Sequence, residues 1–507
     1  MGQAVNVRTM SSTRRGFLHR AAFAAATTVG LPRLAQAVEA AGPSQAPMAG
    51  ARPRHIIHMV SDGMSMGTLS LSDQFSRLSR QRGLKWLELG QRAEVSFGWV
   101  NMRSLNSLVT DSAAASSSWG SGSRVKNGTI NQLPDGRDLK PLLVVLGQAG
   151  WKRGLVTTTE ITHATPAGFA GNASSRQTSE TLAAQYLERG IEVLCGGGKK
   201  YFDPTQRKDK RDLRSEFKAS GYEVMDEAGM LAKASLDRPW LGTFASGHLP
   251  FEIDRLQDKK LVHQVPPLAE MTRRALAKLE RENQFILQVE GGRVDHGCHD
   301  CDIATAVREQ VAFDEAIEVC LDFQRRVPDT LIIVTTDHST ANPGLNGTGD
   351  EYAQSSPIFH NILNSRQSLD VLLGRLEKVS ETAAVKKLIG EVTSYRVPDK
   401  KAAAFLEFLN KKGATVYDQM NSKTVQLGQL LANHLGVGWT SGQHTSDYVP
   451  LMALGPGAER FRGFMQNTQI FPNYMALAGV DFRNPEVPLL AECGPSAWEA
   501  ERTGVYS

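Results

Sequence analysis

The stretch FILQVEGGRVDHGCHD, residues 285–300, changes character in its middle. The run Phe285–Val289 is mainly apolar and of strand length, and it stops at Glu290. Two glycines follow, then Asp295, His296 and His299. Asp295 and His299 are four residues apart, so they share a face if this turn is helical. Carboxylate with imidazole is a donor set that suits zinc. The same change recurs along the chain: His55–Val60 runs into Ser61-Asp62-Gly63, Gly154–Val156 into Thr157-Thr158-Thr159-Glu160, and Leu331–Val334 into Thr335-Thr336-Asp337-His338-Ser339. Ile191–Leu194 and Val449–Leu454 are further strand-like runs, and Pro266–Arg281 and Ile303–Arg325 have helical patterns. This alternation predicts an α/β fold with a central, largely parallel mixed sheet sandwiched by helices. In such sheets the site lies at the carboxyl ends of the strands, so the polar clusters should converge on one cleft.

Other segments carry chemistry less distinctly. In Val109-Thr110-Asp111-Ser112-Ala113-Ala114-Ala115 a helix of small residues should begin at Ser112. Its free N–H groups would favour an alkoxide or a phosphate, although Ser112 or Asp111 alone could be merely a cap. Asp62-Gly63 alone reads as a turn, and Asp337-His338 as a strand end. His444, in Ser441-Gly442-Gln443-His444-Thr445, would singly be a solvated histidine. Thr162-His163-Ala164-Thr165-Pro166-Ala167 is followed by Ser174-Ser175-Arg176, where an isolated arginine is ordinarily a surface charge. Cys298-x-x-Cys301 has no second cysteine pair to complete a four-thiolate zinc site.

Taken in order, VSDG, TDSAAA, THATPAG, SSR, VEGGRVDHGCH, TTDH and GQHT resemble the alkaline phosphatases, from Asp62 to His444. The resemblance implies that family's sheet between helices, a homodimer, two zinc ions and one magnesium ion. It also implies hydrolysis of small phosphate monoesters at alkaline pH, with release of inorganic phosphate. Residue by residue, Asp295, His299 and His444 match ligands of the first zinc. Asp337 and His338 match those of the second, with Asp62 shared between that zinc and magnesium. Thr165 and Glu290 match the remaining magnesium ligands. Ser112 matches the nucleophile that becomes phosphoserine. Arg176 matches the guanidinium that clamps two phosphate oxygens, eleven residues beyond Thr165. His163 stands where some bacterial members have Asp, and His296 where they have Lys; other members have His at both. These two histidines are candidates for phosphate contact or for support of the ligands. Within the wider superfamily a sulfatase would present Pro-x-Arg after its nucleophile, whereas Ser112 precedes three alanines. A phosphodiesterase would more often use Thr and lack the arginine clamp.

The rest of the chain frames this centre. Residues 1–37 hold five arginines and no acidic residue, while the whole chain carries only +4. The body is therefore near neutral, which gives no reason to invoke nucleic acid or an anionic membrane. Ser12-Thr13-Arg14-Arg15-Gly16-Phe17-Leu18, the apolar stretch Ala21–Leu31 and Ala35-Gln36-Ala37 form a twin-arginine signal peptide pattern over 1–37. Export to the periplasm or beyond follows, without stable membrane insertion, because the apolar stretch is too short to span a bilayer. Residues 38–53 read as a linker, 54–495 as one catalytic domain and 496–507 as a tail. Within the domain, 345–443 breaks the strand rhythm with helical patterns at Leu369–Leu376, Ala402–Leu409 and Val425–Leu435. It is expected to be an insertion over or beside the site. Five cysteines in 507 residues do not make a disulfide scaffold.

Overall fold

The computed structural model describes residues 52–347, 352–411 and 415–490. The signal peptide, nearly all of the linker and the tail expected from the sequence lie outside the described residues. Fourteen strands are present among those described: β1 (His55–Ser61), β2 (Ser96–Asn101), β3 (Lys152–Glu160), β4 (Val193–Gly197), β5 (Glu223–Met225), β6 (Trp240–Thr243), β7 (Phe285–Gly291), β8 (Thr330–Thr335), β9 (Ser339–Thr340), β10 (Gly344–Leu345), β11 (Val437–Gly438), β12 (His444–Thr445), β13 (Val449–Leu454) and β14 (Gly463–Gln466). Ten of them form one sheet in the order β14-β2-β13-β8-β1-β7-β3-β4-β6-β5. Only β13 runs antiparallel to its neighbours β8 and β2. The sheet is thus mixed and largely parallel, as the sequence pattern requires.

Helices cover both faces, which is why the central strands read as continuous apolar runs. Every residue of β1, β7 and β8 is buried. Alternate side chains feed two cores: Ile56, Val60, Ile286, Leu331 and Ile333 on one face, and Ile57, Met59, Leu287, Val289, Ile332 and Val334 on the other. Register then places the functional ends side by side. Val60 is level with Glu290 and with Thr335, and Thr157 is level with Glu290.

The segment after β10 is helical, with Leu369–Leu376, Thr382–Thr393, Asp399–Lys411 and Lys423–Leu435 as its longer helices. Leu372, Leu376, Ile389, Leu427 and Leu431 share a core with Leu71 and Phe75 of the helix Met66–Arg80 and with Ile303 and Val307 of the helix Ile303–Arg326. These helices therefore pack beside the sheet, against the flank of two helices that follow functional strand ends.

The helix Ser112–Ser121 lies backbone to backbone on the helix Ala164–Ala170. A Cβ on Gly120 would sit 1.9 Å from the Gly168 carbonyl oxygen. One on Gly168 would sit 2.6 Å from the Ser116 carbonyl carbon. Ser116 Oγ donates to the Thr165 carbonyl at 2.6 Å, so the contact ties together the turns that carry Ser112 and Thr165. Gly120→Ala should destabilise the protein by about 1–3 kcal/mol through overpacking. Thermal unfolding checks this, and an unchanged midpoint would show that the two helices can separate without cost.

Candidate functional site

Ser112 is the first residue of its helix. Asp111 caps that helix, its carboxylate accepting from the Ala114 N–H at 2.9 Å. Helix start and cap leave Ser112 buried, with Oγ 3.2 Å from His338 Nε2. Arg176 reaches the same place from the loop after the helix Ala164–Ala170. Its Nη1 bonds Asp111 Oδ2 at 3.0 Å and its Nη2 lies 3.1 Å from His163 Nε2. The Gly128 N–H donates to the same Asp111 oxygen at 2.9 Å. The guanidinium is thus held beside the serine by the residue that caps the serine's own helix.

The remaining candidates come from strand ends. Asp62 follows β1, Glu290 lies in β7 and Asp337 follows β8. Asp295 and His299 lie on one short helix, Arg293–His299, that follows β7. His444 enters on β12, which pairs antiparallel with β9 so that His444 faces Thr340. The turn after Asp62 needs glycine: Gly63 has φ +72°, and a Cβ there would lie 2.7 Å from Asp295 Cα. Its N–H donates to Asp337 Oδ1 at 3.1 Å.

Three groups of donor atoms lie within 4.8 Å of one another: Asp295 with His338 and His444, Asp62 with Asp337 and His338, and Asp62 with His163 and Glu290. His299 joins the first through Nε2, 3.3 Å from Asp295 Oδ2 and 3.0 Å from His444 Nε2. Thr165 joins the third, its Oγ1 3.5 Å from Asp62 Oδ2. Every metal candidate read from the sequence is therefore in one cluster, and His163 stands within donor reach of Asp62 and Glu290.

The electrostatics call for cations. Burial raises the Asp62 carboxyl well above its ordinary range, and the charges of Asp337 and Asp295 add to this. Burial also lifts Asp337 to about 8 and Glu290 to about 7. Asp295 goes the other way: burial is the largest single influence and would raise it, but the charge and hydrogen bond of His299, with the charges of His444 and His338, together hold it well below. Burial would lower His299, yet Asp295 lifts it to about 9. Asp62 Oδ1, Glu290 Oε1, Asp337 Oδ2 and His163 Nδ1 are buried without a hydrogen-bond partner among the described residues.

Hydrogen positions sharpen the point. His299 Nδ1 faces the Gly442 carbonyl at 2.7 Å and His444 Nδ1 the Thr110 carbonyl at 2.9 Å. A carbonyl only accepts, so both Nδ1 atoms donate. With both rings neutral the two Nε2 lone pairs would confront each other at 3.0 Å; without metal, the proton that Asp295 favours on His299 separates them. A cation between them turns this repulsion into two ligand bonds. The residues present therefore fit metal ions, with the outer nitrogen of each ring anchored as metal-bound histidines require.

Several contributors were not singled out from the sequence. Thr340 Oγ1 donates to Asp295 Oδ1 at 2.6 Å and lies 3.2 Å from His338 Nδ1, orienting both. Thr157 Oγ1 donates to Glu290 Oε2 at 2.5 Å. Arg293 Nη1 donates at 2.8 Å to Nδ1 of His296, itself a candidate from the sequence, and His248 packs beside that ring with centroids 4.6 Å apart. Thr157 and Thr340 lie in polar runs that adjoin the ligand clusters, which was the available signal. His248, in Ser246-Gly247-His248-Leu249, offered none.

Buried carboxylates and imidazoles at strand ends, beside a serine at a helix start, define the centre of a metal-dependent hydrolase. The chain belongs to the alkaline phosphatase family, whose sequence pattern matches residues 53–480. Alkaline phosphatase 3 of Bacillus subtilis is 34% identical over 372 residues, 72% of this chain and 76% of that protein. The repressible alkaline phosphatase of Saccharomyces cerevisiae is 29% identical over 495 residues, 90% and 86% of the two chains. The crystal structure of Thermus thermophilus alkaline phosphatase has a TM-score of 0.81 at 34% identity, covering 90% of this chain and 97% of that one. The protein is accordingly a phosphatase, a phosphoric monoester hydrolase.

Metal removal should expose the carboxylate cluster. In the folded metal-free state Asp337 and Glu290 stay protonated up to about 8 and about 7. The unfolded chain ionises such groups near pH 4. The folded state therefore binds more protons between these limits, and its stability falls as pH rises through them. Thermal unfolding of chelator-treated protein should show the midpoint dropping between about pH 5 and about pH 9, and much less so after metal loading. Parallel curves for the two forms would mean that the cluster does not bind cations.

Proposed function

We propose that the protein hydrolyses phosphate monoesters at alkaline pH through a phosphoserine on Ser112. The observation that carries this is the seat of Ser112: a helix start, 3.2 Å from His338, with the Arg176 guanidinium held on the cap of the same helix. Two zinc ions, one at Asp295, His299 and His444 and one at Asp62, Asp337 and His338, with magnesium at Asp62, Thr165 and Glu290, would supply Lewis acidity at the attacking and leaving oxygens. Ser112 Oγ attacks phosphorus as the alkoxide, and the ester oxygen departs in line to become the alcohol. Water then attacks the phosphoserine, restoring Ser112 and releasing inorganic phosphate. Arg176 turns from Asp111 and His163 to give two parallel N–H bonds to non-bridging oxygens. The helix N-terminus favours the negative charge on Ser112 throughout.

The same reading includes twin-arginine export to the periplasm or beyond, which rests on the pattern of residues 1–37. It also includes a homodimer. Met66, Trp99, Tyr448 and Phe464 are exposed around a hollow of about 530 Å³, an apolar patch suited to a second copy.

After zinc and magnesium loading, p-nitrophenyl phosphate should turn over far faster than its bis ester or the sulfate analogue; preference for either analogue would overturn the reading. Ser112→Ala should lower turnover at least ~10³-fold with zinc content intact, since the covalent step is lost while the metals remain. Near-normal turnover, or phosphate found on another residue, would remove Ser112 from this role. Arg176→Ala should raise KM and weaken inhibition by orthophosphate without changing zinc content. Unchanged inhibition would place Arg176 outside the phosphate grip.

A further inference from the structure

Three imidazoles meet next to Arg176. His163 touches the guanidinium through Nε2. His296 stands edge-on to His163, with ring centroids 5.8 Å apart. His248, from the loop between β6 and the helix Glu252–Arg255, packs edge-on against both, 4.6 Å from His296 and 5.5 Å from His163. For all three the neighbours dictate where the ring hydrogen sits: His163 Nε2 accepts from Arg176, and the other two rings accept through Nδ1. A guanidinium and a backbone N–H can only donate. Arg293 Nη1 lies 2.8 Å from His296 Nδ1, and the Glu160 N–H points at His248 Nδ1 at 3.1 Å. Each Nδ1 must accept, so each Nε2 carries the hydrogen.

Arg293 is well placed to impose this. Its guanidinium lies 3.5 Å over the ring of Phe251, three residues beyond His248 in the same loop. Its own N–H donates to Thr158 Oγ1 at 3.2 Å, at the end of β3. Asp254, Asp300, Glu309 and Asp370 surround it with negative charge. One loop thus supplies both an imidazole of the cluster and the platform under the arginine that fixes its neighbour.

We propose that Arg293 is a positioning residue that locks His296 as an Nε2–H donor, and that His248, locked the same way by the Glu160 backbone, completes a pair of imidazole donors for the non-bridging oxygens of the bound phosphoester. The proposal rests on the assignment of Ser112 and Arg176 above, because it is their neighbourhood that makes phosphate the acceptor.

The test uses the metal-loaded protein with nitrogen-15 in its histidine rings. His296 and His248, assigned from the spectra of the His296→Asn and His248→Asn variants, should show pyridine-type Nδ1 and pyrrole-type Nε2 signals. Orthophosphate should shift both Nε2 signals. Arg293→Met should let His296 populate the other tautomer and weaken orthophosphate inhibition about tenfold, the equivalent of one hydrogen bond. Arg293→Lys, which keeps a donor, should preserve the tautomer and most of the affinity. His296 carrying its hydrogen on Nδ1 in the wild type would overturn the proposal, and that measurement needs no folded variant. So would Nε2 signals indifferent to orthophosphate, or inhibition of Arg293→Met within about twofold of wild type. Failure of the Ser112 assignment would appear instead as near-normal turnover in Ser112→Ala, which leaves the ring tautomers unchanged.

Discussion

Asp62, Glu290, Asp295 and Asp337 are buried together where three neighbouring strands end, and the molecule around them is organised by the cost of that arrangement. Isolated carboxylates cannot remain ionised in such surroundings. Two outcomes are open: the cluster takes up protons, or it takes up cations. Three histidines with inward Nε2 atoms and orphaned carboxylate oxygens favour cations. The sheet provides the rigidity, because β1 is flanked by β7 and β8 in fixed register and all three are buried on both faces. A slip of one residue in any of them would turn Glu290 or the residues beside it to the wrong face.

Around the carboxylates, backbone contacts set positions that side chains alone would leave loose. Gly63 lets the chain pass against Asp295, and its N–H holds Asp337. Gly120 and Gly168 bring the Ser112 and Thr165 helices into direct contact. Carbonyls of Thr110 and Gly442 hold the outer nitrogens of His444 and His299. The Thr110 contact matters twice, since Thr110 lies two residues before Ser112. The ring that would hold a metal and the serine that would use it are thereby fixed to one segment of backbone.

The central strands and their polar ends were legible because burial on both faces gives an apolar run, and the run ends abruptly in ligand residues. Val449–Leu454 and Leu369–Leu376 coincide with the elements read from the sequence, and Ser112 opens its helix as expected. The outer strands β14 and β2 at one side of the sheet, and β6 and β5 at the other, went unread. β2 and β14 mix exposed with buried residues, and β5 and β6 are only three and four residues long. β3 is longer than its apolar stretch, since its last four residues, Thr157–Glu160, are polar and yet buried. Such burial is affordable only where hydroxyls and carboxylates satisfy one another, which no local pattern announces. Arg293 and His248 stayed hidden for a related reason: their partners lie across the fold.

Histidine does two opposite jobs here, and the atom facing Nδ1 decides which. Where Nδ1 meets an acceptor, as at His299, His444 and His338, it donates, and Nε2 is left as a lone pair directed at the carboxylates. Where Nδ1 meets a donor, as at His296 and His248, it accepts, and Nε2 becomes an N–H. One set of rings is built to hold cations and the other to meet an anion. His163 stands at the boundary, with Nε2 against Arg176 and Nδ1 without a partner, in donor reach of Asp62 and Glu290. A change at an outer contact, such as loss of the Thr340 hydroxyl or of the Arg293 guanidinium, would therefore act by converting a ring from one role towards the other. Its first effect would fall on the polarity of the site, with the shape of the cleft left much as it is.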